Sequence, residues 1–262
     1  MARGAGRAEV AHAVATVAGD GRPGDRRAAE SAVNYVAYEM SQHLCEYRAR
    51  MSCCDPRGCD QFFSPRFARR VARRYRKRGL DRTAARIVAF LEDAGVTGAS
   101  VLEIGGGVGE IGVELLGRGA TRVVTLELTR AYDAEAARLA REAGVADRVE
   151  RRIHDIAADP DAVGPADVVV LHRVVCCYPD YERLLGAAAG HARRAVVFSH
   201  PRRNLASRTF IALENLGFRV RGSDFRTFVH PPAAMAEVCR RSGFAGGLVH
   251  PGRVWQVQGL TR

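Results

Sequence analysis

Three acidic residues and a glycine-rich loop carry the chemistry legible in this 262-residue sequence. The stretch VLEIGGGVGEIGVELL over residues 101–116 is a short apolar run that breaks into glycines and resumes with helical spacing, so it reads as strand, tight turn and helix. Gly105, Gly107 and Gly109 permit positive φ and let a ligand approach where a Cβ would collide, while the first amides of the helix point at that ligand. A nucleotide-like cofactor is expected there. Gly107, Gly109 and Gly112 also satisfy the G-x-G-x-x-G dinucleotide pattern, but Glu103 stands two residues before the first glycine. A carboxylate there would repel a pyrophosphate and suits a ligand with a cationic end. Residues 121–127 form a β-rich run ending in Glu127, about 20 residues past the loop, where an acid that binds both ribose hydroxyls is expected. A further strand over 148–154 runs into Asp155 and Ile156.

Other elements must position these groups. Residues 166–175 make the most continuously apolar run, as a central parallel strand buried on both faces should. It delivers His172, Arg173, Tyr178 and Tyr181 to the carboxyl edge of the sheet, where open α/β folds place ligands. A fifth strand over 195–199 precedes an insertion at 200–230, read as a lid or substrate pocket, in which Arg202, Arg203, Arg208, Arg226 and His230 are candidate anion ligands. Residues 244–250 and 253–258 read as antiparallel closing strands. Ahead of the sheet, RFARRVARRYRKR over 66–78 puts Phe67, Val71 and Tyr75 on one face and basic residues on the others. This basic amphipathic helix is a solvated surface, a clamp for an anionic substrate or a nucleic-acid patch. Asp81 reads as the N-cap of a helix over 82–93.

Net charge is +11, and every basic residue except Lys77 is arginine, which favours anionic partners. The apolar fraction of 47% can fill the core of one sizeable α/β domain. With no run of about 18 apolar residues and no signal-peptide core, a cytoplasmic protein without a membrane span is expected. Residues 1–29 read as a disordered tail, 30–80 as a helical extension with a cysteine-rich turn, and 81–262 as the catalytic domain. Met51 is an alternative start. Seven cysteines, an odd count, argue for reduced thiols. Cys45, Cys53, Cys54 and Cys59 cluster without a C-x-x-C pair, so no metal is assigned to them.

E-x-G-x-G-x-G at the end of a first strand, Glu127, the Asp155–Ile156 pair and a fourth strand ending in CYPDY resemble the class I S-adenosylmethionine-dependent methyltransferases, from about residue 66 onward. The resemblance implies a Rossmann-like seven-stranded sheet, mostly parallel with its last strand antiparallel. It implies S-adenosylmethionine as cofactor, held by Glu103, Gly105, Gly107, Gly109, Glu127, Leu128, Asp155, Ile156 and His172, with Asp155 accepting from the adenine amine and Ile156 packed on the ring. Tyr75 with GLD at 79–81, VVCCYPDY, FSHPRRN and RTFVH are similar to magnesium-protoporphyrin O-methyltransferases, a family that methylates a porphyrin propionate. Glu127 stands where that family usually has aspartate. An anionic or aromatic small molecule is then the acceptor, with Tyr75, Arg173, Tyr181, Arg202, Arg226 and His230 as its ligands. A carboxylate nucleophile needs no general base; a phenol would, and His172, Tyr178 and His200 are the candidates for proton transfer. One competing reading is an RNA or DNA methyltransferase using the helix at 66–78, opposed by CYPDY where adenine amino methylation uses N/D-P-P-Y/F. The other is a non-catalytic or NAD-binding Rossmann protein, opposed by Glu103.

Overall fold

The computed structural model describes Gly58, Cys59 and residues 62–262. The expected tail, the helical pattern over 30–50 and Cys45, Cys53 and Cys54 lie outside the described residues. Seven strands make one sheet: β1 Ser100–Ile104, β2 Arg122–Glu127, β3 Val149–Ile153, β4 Ala166–Leu171, β5 Ala192–Pro201, β6 Ala245–His250 and β7 Trp255–Thr261. Their order is β3-β2-β1-β4-β5-β7-β6. The first five are parallel, and β7 runs antiparallel to both of its neighbours. The described helices are α1 Pro65–Arg78, α2 Arg82–Asp93, α3 Glu110–Gly117, α4 Asp133–Glu142, α5 Tyr181–His191, α6 Leu205–Val220 and α7 Pro232–Arg241.

Strand alternation explains why the central strands read as unbroken apolar runs. Leu102, Val169, Leu171, Val196 and Phe198 pack on one face with Leu184, Leu185 and Met235 of α5 and α7. Val101, Val168, Val170, Ala195 and Val197 pack on the other with Ile87, Leu91, Ile111 and Leu115 of α2 and α3. Both faces are covered by helices, so these positions are apolar on each side. The side chain of Glu103 shares the second face with Val101 and lies beneath α3, within reach of Gly112.

The strand order reverses between β1 and β4, and a crevice opens outside the carboxyl ends of strands flanking such a reversal. α1 borders this crevice. Ser64 caps it by accepting from the Phe67 amide at 3.3 Å, Arg76, Lys77 and Arg78 complement its C-terminal dipole, and Gly79 at φ 67 ends it. Its buried Ala68 and Ala72 pack with Val108, Tyr132 and Leu139.

Two boundaries differ from the sequence expectation. β4 ends at Leu171 rather than at residue 175, because Arg173 turns into the left-handed region at φ 59 and Val175–Cys177 forms a 3-10 turn. β5 runs on to Pro201 because β7 pairs with it as far as His200↔Gln256 and Pro201↔Trp255. The insertion therefore starts beyond the sheet. No residue of α6 is buried, and residues 223–231 fold back to brace the turn after β4, with the Phe228 amide donating to the Cys176 carbonyl at 2.7 Å. No residue of the 200–230 insertion lines the crevice.

Candidate active site

A cleft of about 250 Å³ opens at the carboxyl ends of β1, β2 and β4. Its floor is the glycine loop, with Gly105, Gly107 and Gly109 at φ 66, 58 and 81. The loop is packed on its protein side: a Cβ on Gly105 would lie 2.3 Å from Val174 Cγ2, and one on Gly106 would lie 2.6 Å from the Glu103 carboxyl carbon. Gly109 is the N-cap of α3, which aims the first amides of that helix at the cleft.

Two buried carboxylates stand under this loop. Glu103 is 2% exposed, and its Oε2 has no hydrogen-bond partner among the described residues. Burial, reinforced by Glu110 and Glu127 and only partly offset by Arg151 and the neighbouring Gly112 amide, pushes its pKa up to about 8. Glu127 accepts from the Gly107 amide, and burial pushes it up to about 7 against the pull of that amide and of Arg151. An unsatisfied buried carboxylate beside a cleft is a receptor for a cation or a donor. Both groups hold a proton more tightly folded than unfolded, so their share of stability is complete below about 4.5 and is lost as pH rises through 7 and 8. The apo protein is expected to melt at progressively lower temperature across that window, and Glu103→Gln should flatten the profile. An unchanged slope in the variant would remove Glu103 as its source.

Further along the same wall lie Leu128, Asp155 and Ile156. Asp155 accepts from the Ala157 amide at 3.0 Å and from the Tyr178 hydroxyl at 3.2 and 3.1 Å, and Ile156 is 1% exposed. Tyr178 thus sits on the Asp155 side of the cleft.

The opposite end is built by α1, the start of α2 and the turn after β4. Phe63, Phe67, Val71, Tyr75 and Tyr132 form an aromatic and aliphatic wall with Arg74 and Arg173 on it. Tyr75 donates to Glu114 at 2.9 Å, and burial with this bond raises its pKa, so it stays a phenol. Asp81 accepts from the Thr83 and Ala84 amides at 2.8 and 3.0 Å while its Oδ2 meets Arg173 Nη2 at 2.8 Å. Burial pushes Asp81 up, but the bonds from His172, Ala84 and Arg173 outweigh it and hold the carboxyl well below the usual range. Arg173 also lies over the Trp255 ring, 5.0 Å from its centroid. His172 has both ring nitrogens engaged, Nδ1 with Ser199 Oγ at 3.1 Å and Nε2 facing Asp81 Oδ2 at 3.7 Å.

Five expected residues are placed elsewhere. His200 is 1% exposed inside β5, with Nδ1 against the Pro201 carbonyl at 2.9 Å, and burial lowers its pKa; the extended strand carries it away from the cleft. Arg202 is exposed, its amide bound to the Val254 carbonyl at 2.8 Å. Arg226 turns onto the Ser223 and Phe225 carbonyls. His230 meets the Tyr178 carbonyl at 2.9 Å, and the ring of Tyr181 packs 4.8 Å from it. These two support the turn from behind and do not line the cleft.

Sequence reasoning missed several cleft residues. Asp81 was legible only as a cap, and its pairing with Arg173 joins α2 to β4 across the sheet edge. Arg74 and Phe63 belong to the basic helix and its lead-in, where the apolar face at Phe67, Val71 and Tyr75 was the available signal. Outside the cleft, Trp255 and Ser199 hold Arg173 and His172 from β7 and β5, with no local pattern to mark them.

The methyltransferase-domain family matches residues 67–247, well over half of the chain. No curated protein matches the sequence. Among solved structures, the chain is similar to magnesium protoporphyrin IX methyltransferase from Synechocystis PCC 6803 with bound SAH, at 21% identity and a TM-score of 0.56, covering 69% of this chain and 81% of that one. An O-methyltransferase family protein from Burkholderia thailandensis gives 21% identity and a TM-score of 0.57 over 76% of this chain and 63% of the other. An O-methyltransferase family 2 protein from Planctomyces limnophilus DSM 3776 in complex with apigenin gives 19% and 0.55 over 74% and 61%. Identities this low establish a common fold. The unsatisfied Glu103 oxygen, the bare glycine backbone and the row of acids along one wall fit a ligand with a cationic end and a nucleoside. The chain belongs to this family of methyltransferase domains and is an S-adenosylmethionine-dependent enzyme of class I.

Proposed function

We propose that the enzyme methylates an oxygen of a small anionic or aromatic acceptor, and that a carboxylate on a flat ring system, such as a porphyrin propionate, fits the cleft best. The observation that carries this reading is the acceptor end itself. Two arginines stand on an aromatic wall, and beside them His172 has its Nδ1 on Ser199 Oγ and its Nε2 turned to Asp81. Arginines recognise carboxylates, aromatic side chains take a flat ring, and a carboxylate nucleophile needs no base.

S-adenosylmethionine, when bound, supplies a methyl group on an electrophilic sulfonium. In this reading Glu103 receives the ammonium, Glu127 the ribose hydroxyls and Asp155 the adenine amine, while Leu128 and Ile156 pack on the ring. The glycine loop admits the chain of the cofactor, and His172, pinned by Ser199 and Asp81, holds the β4 turn in register. Arg173 and Arg74 orient the acceptor oxygen towards the methyl group. The α1 wall excludes water, so that alignment rather than proton transfer accounts for most of the acceleration.

Two variants test the acceptor half. Arg173→Gln should lower kcat/KM for a carboxylate acceptor roughly tenfold or more, the scale of a lost charge-assisted hydrogen bond, while S-adenosylhomocysteine affinity stays within about twofold. His172→Asn should cost less than about tenfold with no change in the pH profile between 6 and 8. Methylation of phenols in preference to carboxylates, with a base-type pH profile that vanishes in His172→Asn, would overturn the carboxylate reading. Salt-dependent methylation of RNA would instead assign the basic face of α1 to a nucleic acid.

A further inference from the structure

α6 turns its apolar side to solvent. Leu205, Phe210, Leu213, Leu216 and Val220 are each between 56% and 79% exposed, on a helix whose start is fixed by a capping box of Asn204 with Ser207. At about 100° per residue, these side chains and the small residues between them share a stripe about 160° wide that contains no charged residue. The opposite side of the helix is already engaged. Asn215 Nδ2 donates to the Thr227 carbonyl at 2.8 Å, Glu214 accepts from Thr227 Oγ1 at 2.9 Å, and the Phe218 ring packs with its centroid 5.5 Å from those of both Phe62 and Phe225. The helix is thus anchored by one face and presents a second, apolar one. Val254 extends that face: it is exposed beside the start of α6, where its carbonyl accepts from the Arg202 amide at 2.8 Å. A continuous exposed apolar patch of this kind marks an interaction surface.

Charge identifies the partner. Arg208 and Arg219 run along one edge of the stripe, Arg221 stands at the other, and Arg202 and Arg203 precede the helix; all five are exposed. Residues 200–230 carry six arginines against two acids, Glu214 and Asp224, and Glu214 is turned inward on Thr227. Two copies meeting through the stripe would bring these basic borders together at like charge. The stripe itself has no side-chain donor or acceptor except the Thr209 hydroxyl. Recognition therefore comes from apolar burial and border charge, the two interactions that hold an amphipathic helix in the interface of an anionic bilayer.

We propose that the outward face of α6 docks on an anionic lipid surface, with the apolar stripe in the boundary between headgroups and acyl chains and the bordering arginines against the headgroups. Among the described residues no helix is long and apolar enough to cross a membrane, so α6 lies on the surface. The aromatic anchor of α6 leads to the acceptor end of the cleft, since Phe62 packs 4.9 Å from Phe63 and Phe63 lines that wall. Docking rests on α6 alone and holds whether or not the acceptor is a carboxylate.

The test is flotation of the full chain with phospholipid vesicles. Vesicles of phosphatidylcholine with phosphatidylglycerol should capture the protein, phosphatidylcholine alone should bind it roughly tenfold more weakly or less, and added salt should release it from the anionic vesicles. Leu213→Glu/Leu216→Glu should weaken capture roughly tenfold or more, and Arg208→Gln/Arg219→Gln about tenfold. Arg69→Gln/Arg70→Gln removes the same charge from the exposed side of α1 and should weaken capture by less than about twofold. Every substituted position is exposed, so melting temperature and S-adenosylhomocysteine affinity should match wild type throughout. No capture by anionic vesicles, equal capture by neutral ones, capture that survives Leu213→Glu/Leu216→Glu, or an equal loss in the α1 variant overturns the proposal. A lower melting temperature or a smaller mass by light scattering in Leu213→Glu/Leu216→Glu also overturns it, because the face would then be covered by another segment of the chain or by a second copy.

Discussion

Gly105→Ala is expected to lower the melting temperature by roughly 10 °C and to abolish cofactor binding, the largest effect of a single methyl group on this protein. Two penalties add at this position. Gly105 has φ 66, where an L residue costs about 1 kcal/mol. Its Cβ would also stand 2.3 Å from Val174 Cγ2, and Val174 is partly buried against the core. Overpacking of that kind costs about 1–3 kcal/mol. Val174→Ala removes the obstructing methyls, so a double-mutant cycle separates the two contributions: Gly105→Ala/Val174→Ala should recover the packing part and leave the backbone part. Equal stability and S-adenosylhomocysteine binding in Gly105→Ala and wild type would mean that the loop does not follow the path described.

Glu127→Ala is expected to raise the dissociation constant for S-adenosylhomocysteine roughly 100-fold, or about 3 kcal/mol, because an acid placed to accept from two ribose hydroxyls loses two charge-assisted bonds. Its effect on folding should run the other way. Burial raises the Glu127 pKa to about 7, so above that pH the folded protein carries a charge that it holds poorly. The apo variant should therefore melt no lower than wild type at pH 8, while cofactor-induced stabilisation shrinks. Calorimetric titration and thermal melts on the same samples separate the two. An affinity within threefold of wild type sinks the assignment of Glu127 to the ribose. Glu103 offers an internal comparison, since a cationic ligand should draw its pKa down from about 8 and release a proton on binding. S-adenosylhomocysteine affinity should then rise between pH 6 and 8 in wild type and be flatter in Glu103→Gln.

The cofactor half of the cleft was legible in the sequence because its determinants are local. A glycine loop between a strand and a helix, an acid at the end of the next strand and an acid–aliphatic pair after the third are fixed by short-range backbone geometry, and the parallel sheet then brings the three strand ends to one edge. The continuous apolar run at 166–175 likewise announced a strand covered on both faces, although the strand stops at Leu171. Those features determined the fold class and the strand ends at which the cofactor is proposed to bind.

The acceptor half was decided by tertiary structure. Whether Arg173 or Arg202 faces the cleft depends on where β4 stops and β5 continues, and that is set by the left-handed turn at Arg173 and by pairing of β5 with a strand more than fifty residues later in the chain. His172 reads as a candidate base until Ser199 and Asp81 close on its two nitrogens from separate elements. His200 reads as the first residue of the insertion and a candidate base until β7 pairs past it and buries it in β5. Sequence by itself determined what periodicity and backbone freedom encode within a few residues. Pairing register and side-chain contacts between distant segments have no local signature, and only the folded chain shows which arginines line the cleft.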